Sequence, residues 1–439
     1  MLAQSPRLVY TVPVESYSSE KEYLEDLASR AALPKGFRCS VAGIRFLPRE
    51  RTVAESLPMN LALIALDEET PSFAGVFTRN RFPGAPVLIG RERLARPTIR
   101  GVLANNKISN VCAPQGGQDA ARLLASLGTQ LGVPGDAFFT ASTGIIGWSL
   151  PVAEMEAALP SLAAGLDPSS ILPFARAIMT TDSFPKVRRA RVGSGSIVGV
   201  AKGAGMIEPN MATLLCFLCT DVEVGRERLR ESLAWCVERS LNRISIDSDQ
   251  STSDTALLFS SGKSGKADPD EFRAGLLAVL SALAADIVRN GEGVGHVMRV
   301  RVERGRDEAA AIGVAKAIVN SPLVKTAVHG NDPNVGRIVS AIGDYMGNAG
   351  LPLETRSVLV RLGGMEIFSG GCFRLDAQKE ESLSSYLRQC ALEPGRMGYP
   401  QHDRSVEIEV ILDGTAPPVD VLGSDLSCEY VRENADYRS

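Results

Sequence analysis

Histidine is scarce in this sequence of 439 residues: there are three, and aromatic residues make up only 5% of the chain. Neither sign of charge dominates, because 47 basic and 51 acidic residues give a formal charge of −4. That balance supplies no cationic field for a phosphate backbone, so we predict no nucleic-acid partner. The longest apolar runs, 276–283 and 214–218, fall far short of the roughly 18 to 20 residues that span a bilayer, so we predict no membrane span.

The composition predicts a globular protein with a large core. Hydrophobic residues make up 44% of the chain, which also has 41 glycines and 25 prolines. The length predicts two or three domains, or one large intertwined unit. The first residues lack a basic segment followed by a continuous apolar one, so we expect a cytoplasmic protein.

The eight cysteines are irregularly spaced and predict no disulfide framework. Cys216 and Cys219 form a CxxC pair within an apolar run, which favours two buried small side chains over a metal or redox site. The acidic run 247–254 begins like a calcium loop, but it lacks glycine at the sixth position and has Leu258 at the twelfth. The histidines are far apart, at His296, His329 and His402. We therefore predict no metal site.

Short apolar runs with Gly and Pro between them predict strands, and longer amphipathic patterns predict helices. The predicted strands are 8–14, 43–46, 61–66, 75–78, 87–90, 101–103, 297–304, 358–360, 365–368 and 406–412. The predicted helices are 19–32, 119–131, 152–164, 173–179, 226–240, 269–289, 308–320, 336–345 and 379–392. This mixture indicates an α/β (α+β) fold with layered mixed sheets flanked by helices.

The segment from Lys202 to Leu215 carries the densest functional pattern. Two glycines, Gly203 and Gly205, could form a phosphate-binding turn, but their order matches neither the P-loop nor the dinucleotide fingerprint. Thr213 stands before an apolar run. It could be an ordinary residue at the start of a strand, or a nucleophile, because the amine of an N-terminal threonine can serve as the base.

A second pattern is the sequence Ser142-Thr143-Gly144. A hydroxyl beside a glycine amide can donate two hydrogen bonds to one oxygen, as a tetrahedral oxyanion requires, although a simple turn after a strand would look the same. Polar clusters at 180–186, 247–255 and 325–334 are typical of solvated turns unless other groups organise them.

These segments occur together and in one order, and the chain resembles the ornithine acetyltransferase (bifunctional glutamate N-acetyltransferase) family of arginine biosynthesis. Members of that family cut themselves at an Ala-Thr bond within a KGxGMIxPNMAT segment, which stands intact at 202–213. The other matching segments are 34–37, 42–44, 75–80, 142–144, 179–182, 291–293, 321–326 and 433–439. The resemblance covers essentially residues 34–439.

The residue pattern predicts that 1–33 is an extension. The resemblance implies an α chain (34–212) and a β chain (213–439) that stay intertwined after self-cleavage between Ala212 and Thr213, with a smaller C-terminal domain. It also implies that Thr213 takes the acetyl group from N-acetylornithine and passes it to glutamate. No cofactor is implied, and acetyl-CoA enters only as a candidate donor. The family precedent is two α and two β chains.

The resemblance also implies roles for individual residues. Thr143 and Gly144 match the oxyanion hole. The substrate-binding positions are Thr180, Lys202, Thr213, Glu292, Asn434 and Ser439, and Lys202 is suited to a carboxylate.

Two loops depart from the family pattern. In 105–110, Lys107 and its neighbours replace a stretch that contains glycine, and 247–254 has three substitutions. These departures leave open a related acyltransferase that acts on a different amine. A related N-terminal-nucleophile aminopeptidase also stays open, although it usually presents serine. A non-catalytic subunit is disfavoured because Thr213, Thr143 and Gly144 are all present.

Overall fold

A computed structural model describes residues 16–53, 55–208, 214–396 and 398–435. The predicted strand 8–14, the Ala212–Thr213 bond and Ser439 lie outside these ranges. The strands are β1 (Phe37–Phe46), β2 (Leu57–Thr70), β3 (Phe73–Phe77), β4 (Ile99–Asn105), β5 (Phe138–Ser142), β6 (Lys186–Val192), β7 (Gly195–Lys202), β8 (Leu215–Thr220), β9 (Ile244–Ser245), β10 (Thr255–Ser260), β11 (Val297–Glu303), β12 (Leu359–Leu362), β13 (Met365–Ser369), β14 (Cys372–Phe373), β15 (Val406–Ile411) and β16 (Val419–Ser424). The helices are α1 (Glu20–Arg30), α2 (Ala85–Arg93), α3 (Gly116–Leu131), α4 (Val152–Ala164), α5 (Leu172–Ala177), α6 (Arg226–Glu238), α7 (Pro269–Arg289), α8 (Glu308–Asn320), α9 (Pro322–His329), α10 (Val335–Asn348), α11 (Ala377–Cys390) and α12 (Cys428–Ala435).

Two sheets pack face to face in the first part of the molecule. One has the strand order β1-β2-β4-β5, and the other has the order β3-β10-β8-β7-β6. A shared apolar core lies between them, with Ile64 and Phe139 on one side and Phe217 and Phe259 on the other. Helices α3 and α4 cover the outer face of the four-stranded sheet, and α6 and α7 cover that of the five-stranded sheet. The predicted layered mixed sheets flanked by helices are confirmed.

The centre of the five-stranded sheet is buried on both faces. Every residue of β8 is buried, as expected for a strand covered by the core on one side and helices on the other. Strand β8 runs antiparallel to β7, with Lys202 opposite Leu215, and parallel to β10. The segment that contains Thr213 therefore connects two adjacent central strands.

A seven-stranded sheet, β14-β13-β12-β15-β11-β16-β9, forms the last part of the fold. Burial alternates along β11, β12 and β15, so one face is apolar and the other carries charged side chains. The apolar face packs on α8, α10 and α11. All of its strands come from residues after 213.

The predicted strand 87–90 is wrong, because these residues lie in α2. A short apolar run cannot by itself distinguish a strand from a buried helical turn. The helix is favoured by Pro86 in its first turn, where proline's missing N–H has no intrahelical partner. Gly90 then lets the helix approach the sheet closely, since a Cβ there would lie 2.5 Å from the ring of Phe77.

Across the part of the chain that the structure describes, no single helix has the length and apolar character needed to cross a membrane. The bent pair α8 and α9, which meet at 55°, passes that test together on length and composition. Both helices contribute residues, such as Val314 and Val324, to the core of the seven-stranded sheet.

Candidate active site

Thr143 and Gly144 directly follow β5. The Thr143 amide donates to the Asn105 carbonyl oxygen at 3.1 Å, while no residue in the described ranges accepts a hydrogen bond from the Gly144 amide. Gly144 has a φ of +128°, and a Cβ there would lie 2.1 Å from the Lys107 carbonyl carbon. Both observations mean that only glycine fits this position.

Lys202 ends β7 and reaches this turn. Its ammonium donates to the Thr143 hydroxyl oxygen at 3.2 Å. Because that bond uses an acceptor site on the oxygen, the Thr143 O–H stays available as a donor. Burial lowers the pKa of Lys202, and the positive charge of Lys186 lowers it too, whereas Asp182, Glu292 and Asp254 oppose the change.

The carboxylate of Asp182 is a buried negative charge near Lys202. The Asp182 side chain is fully buried and accepts hydrogen bonds from Lys186 Nζ at 2.6 Å and from the Gly203 amide at 2.8 Å. Its other oxygen accepts from the Thr180 amide at 3.2 Å. Burial favours the neutral acid, but the charges of Lys186 and Lys202 outweigh it and lower the pKa of Asp182 to about 2. The ionised Asp182 thus links the Thr180 turn to the end of β7.

The Glu292 carboxylate is held by side chains from two distant parts of the chain. One carboxylate oxygen accepts from the Thr181 hydroxyl at 2.7 Å, and the other accepts from the Asn434 side-chain amide at 2.8 Å. The Glu292 amide donates to the Ala204 carbonyl at 2.8 Å. A Cβ on Gly205 would lie 2.2 Å from the Glu292 carboxylate, so glycine at 205 makes room for this side chain.

These groups surround one cavity of about 610 Å³. Every predicted site residue within the described ranges lines it: Thr143, Gly144, Thr180, Lys202, Glu292 and Asn434. Leu214, which directly follows Thr213, is also in the wall. The positions of Thr213, Ala212 and Ser439 lie outside the described residues, so their roles stay predictions. The cavity draws its walls from both sides of the Ala212–Thr213 bond.

Asp254 is buried and lines the same cavity, but no sequence pattern marks it as a site residue. Within the described ranges, neither of its carboxylate oxygens has a well-formed hydrogen-bond partner. Burial raises the pKa of Asp254 well above its usual value, although the nearby Leu214 amide and the Thr78 and Ser251 hydroxyls oppose the shift. The available signal was an acidic residue immediately before an apolar strand, β10.

Two other sequence patterns have structural roles. The Asp247 carboxylate, the first group of the calcium-like run, accepts the amides of Met206 and Ile207 at 2.6 and 2.7 Å. It therefore fixes the segment that leads toward Thr213. Cys216 and Cys219 are fully buried in β8, where burial raises the pKa of both thiols, so the prediction of buried small side chains is confirmed.

Known proteins resemble this chain over most of its length. The sequence model of the ArgJ family matches residues 50–439. The arginine biosynthesis bifunctional protein ArgJ of Nitratidesulfovibrio vulgaris is 39% identical over 420 residues, which cover 93% of this chain and 100% of that protein. Glutamate N-acetyltransferase Oat2 of Streptomyces clavuligerus is 37% identical over 398 residues, covering 88% of this chain and 96% of that protein. The crystal structure of an ArgJ protein from Bacillus halodurans aligns with a TM-score of 0.44 at 29% identity, covering 50% of this chain and 97% of that one.

These relatives define the class of the protein: it is an acetyltransferase of arginine biosynthesis. The family model covers most of the chain, and the relative from N. vulgaris matches along its whole length. The chain belongs to the ArgJ family.

Proposed function

We propose that this enzyme moves the acetyl group of N-acetylornithine to glutamate through an acetyl-Thr213 intermediate, after cutting itself between Ala212 and Thr213. The observation that carries the proposal is the convergence of predicted site residues from both sides of that bond on one cavity with Leu214 in its wall. A threonine freed at this point would begin its chain at the cavity. Its own amine would then be available as the base.

In the first half-reaction, the Thr213 hydroxyl oxygen attacks the acetyl carbonyl carbon while the Thr213 amine takes the hydroxyl proton. The Thr143 hydroxyl and the Gly144 amide donate to the resulting oxyanion. The carbon–nitrogen bond then breaks, and the proton passes to the departing amine of ornithine. In the second half-reaction, the glutamate amine attacks acetyl-Thr213 by the reverse sequence, which restores the free hydroxyl.

Lys202 has two tasks in this proposal. Its bond to Thr143 Oγ1 orients the hydroxyl toward the reacting oxygen and places a positive charge near the oxyanion. The same ammonium can pair with the α-carboxylate that both amino acids share. Glu292, held by Thr181 and Asn434, is suited to face an ammonium group.

Further parts of the proposal concern partners and location. The acetyl group is carried by Thr213 itself, so no cofactor takes part, and acetyl-CoA is a candidate second donor because the relative from N. vulgaris is named bifunctional. We also propose an assembly of two α and two β chains. A cytoplasmic location is supported by the eight cysteines, which all lie in the described ranges and form no disulfide there.

The test is mass spectrometry of the purified protein with N-acetylornithine. We expect two fragments that meet at Ala212 and Thr213, with one acetyl group added to the second fragment and then removed by glutamate. Thr213→Ser is the matched control, because it keeps a hydroxyl and an amine at the same position. An active protein that stays uncut would contradict the self-cleavage proposal.

The same experiment separates the alternatives. An aminopeptidase-like enzyme would lose the acetyl group to water at the same rate with or without glutamate. An enzyme that acts on another amine would stay acetylated when glutamate is added, and it would transfer the acetyl group when that other amine is added. Either result would keep the acetyl-enzyme and overturn the assigned acceptor.

A further inference from the structure

Two of the three histidines in the chain meet at one carboxylate outside the cavity. His296 precedes β11, His329 ends α9, and Asp425 follows β16. Asp425 Oδ2 lies 2.9 Å from His296 Nδ1 and 3.0 Å from His329 Nδ1. One ligand atom from each residue lies within 4.8 Å of the other two. The sequence spacing contains no ligand motif, and it is the fold that brings these donors together.

The hydrogen bond on the far side of His296 favours a lone pair at Nδ1. His296 Nε2 lies 3.3 Å from the side-chain oxygen of Asn331, which can only accept, so this contact is a hydrogen bond when Nε2 carries the proton. In that tautomer Nδ1 has a lone pair that is available to bind a metal ion beside Asp425 Oδ2, which lies 2.9 Å away. Metal-binding histidines commonly donate their second N–H to an oxygen in this way.

Glycine at position 295 keeps a side chain out of the space beside these donors. Residue 295 is glycine, and a Cβ there would lie 2.9 Å from Asp425 Oδ2 and 3.3 Å from His329 Nδ1. Tetrahedral Zn²⁺ with bonds of about 2.0 to 2.1 Å holds its ligand atoms about 3.3 Å apart, so each histidine nitrogen needs to move only a few tenths of an ångström away from Asp425 Oδ2. The His329 side chain is 38% exposed, which gives an ion and a water molecule a route in.

The carboxylate is prepared to act as a ligand. The Asp425 side chain is fully buried, and its Oδ2 faces both histidine rings at 2.9 and 3.0 Å. Its other oxygen, Oδ1, accepts the Gly295 amide at 2.8 Å, which fixes the orientation of the group. Asp425 therefore presents one oxygen to both imidazoles while the other is held by the backbone.

We propose that His296, His329 and Asp425 bind one divalent transition-metal ion, best matched by Zn²⁺, with water as the fourth ligand. The ion is structural, because none of the three residues lines the cavity. Asp425 lies shortly before α12, whose Asn434 donates to Glu292. The ion thus connects the start of α12 to α9 and to the segment before β11. It stabilises the position of α12, whose Asn434 contacts Glu292 in the cavity wall.

The direct test is metal binding by the full-length protein after chelation and dialysis. Titration calorimetry with Zn²⁺ should give one ion per chain, and binding should raise the melting temperature by on the order of 3 °C in saturating Zn²⁺. Co²⁺ should give the visible absorption of a four-coordinate site without a thiolate charge-transfer band. That band would report binding by the exposed cysteines, Cys112, Cys372 and Cys428, instead of the proposed ligands.

Variants decide which residues bind the ion. His329→Gln should abolish stoichiometric binding, whereas His402→Gln is the matched control, since His402 lies outside the cluster and contacts the Ala391 carbonyl. Asn331→Ala removes the hydrogen-bond partner of His296 and should weaken metal binding by about 10- to 100-fold. This variant replaces His329→Gln in the test if His329→Gln does not fold. Absence of binding by the wild type, full binding by His329→Gln or a thiolate band would each overturn the proposal. Acetyl transfer is not the readout, so failure here leaves the proposed function untouched.

Discussion

The five-stranded and seven-stranded sheets use charge in opposite ways. Beside the five-stranded sheet, Lys186 and Asp182 form an ion pair with no exposed side-chain surface, and Arg188 pairs with Asp286 in similar burial. On the seven-stranded sheet, pairs such as Arg361 and Glu409 lie on the partly exposed face, over an apolar core. Buried ion pairs contribute little net stability compared with apolar packing. We infer that the buried charges beside the five-stranded sheet serve the active-site cavity. The apolar packing of the seven-stranded sheet contributes more to the stability of the fold.

The two sheets also differ in the origin of their strands. The five-stranded sheet takes β3, β6 and β7 from before the Ala212–Thr213 bond and β8 and β10 from after it. All seven strands of the other sheet follow that bond. The proposed cut therefore changes the chain only within the sheet that carries the buried charges.

The largest expected effect comes from Thr213→Ala. Without its hydroxyl the chain has no nucleophile, so we expect a single uncut chain and no detectable acetyl transfer. Denaturing electrophoresis and intact mass measure the cut, and thermal unfolding should show that the fold persists. A cut Thr213→Ala protein would assign the cleavage to another group.

The next effect tests the contrast in charge directly. Asp182→Asn leaves the Lys186 ammonium buried without a counter-charge, and we expect a loss of about 3 to 5 kcal/mol in the free energy of unfolding. Glu409→Gln removes a partly exposed partner of Arg361 and should change it by less than about 1 kcal/mol. Urea unfolding measures the free energy of unfolding of both variants. Equal losses would show that the ion pairs of the two sheets do not differ in their effect on stability.

Thr143→Ala tests the oxyanion assignment. Loss of one donor should lower kcat by about 10²- to 10³-fold, or roughly 3 to 4 kcal/mol, with little change in KM. Thr181→Ala is a control, since its hydroxyl bonds Glu292 and should act mainly on KM. Steady-state kinetics separate the two outcomes. A rise in KM alone for Thr143→Ala would make Thr143 a binding residue.

The pH dependence of Thr213 acetylation should report Lys202. The rate should rise through about pH 8 as the Thr213 amine loses its proton. It should then fall as Lys202 loses its charge, at a pH below the usual lysine value because burial lowers the pKa of Lys202. Lys202→Arg stays charged, so its alkaline limb should disappear even if the maximal rate is lower. An unchanged alkaline limb in Lys202→Arg would assign it to another group.

The smallest effect concerns Lys107, which has a φ of +70° where the family pattern carries glycine. This conformation strains a residue with a Cβ, so Lys107→Gly should stabilise the fold by up to about 1 kcal/mol, after subtracting the entropy that glycine gains on unfolding. Lys107→Ala removes the charge and keeps the strain, so it should resemble the wild type. If alanine and glycine stabilise equally, the charge and not the backbone is responsible.

The sequence predicts elements best where the chain marks their ends. The bounds of α4, α7 and α8 agree with the prediction, and Asp268 and Asp307 cap the last two with side-chain bonds to backbone amides. The run 87–90 fails because its four apolar residues fit a strand as well as a helix, and the packing of Gly90 on Phe77 decides between them.

The sequence points to residues that line the cavity where a local motif or the family resemblance marks them, as at Thr143 and Lys202. Asp182 and Asp254 were visible only as members of polar clusters, since their importance comes from burial, which depends on distant chain segments. The pairing of His296 with His329 at Asp425 is also absent from any local pattern, because three separate elements meet there.

A hairpin whose loop is cut keeps its two strands paired. Six residue pairs join β7 to β8, from Ile197 opposite Thr220 to Lys202 opposite Leu215. Residues 1–212 and 213–439 are thus the halves of a split protein, and each half alone would expose the edge of a central apolar strand. If the halves were encoded by separate genes, we expect that they would have to be synthesised together to give the same sheet, because either partner made alone would offer its open edge to other chains.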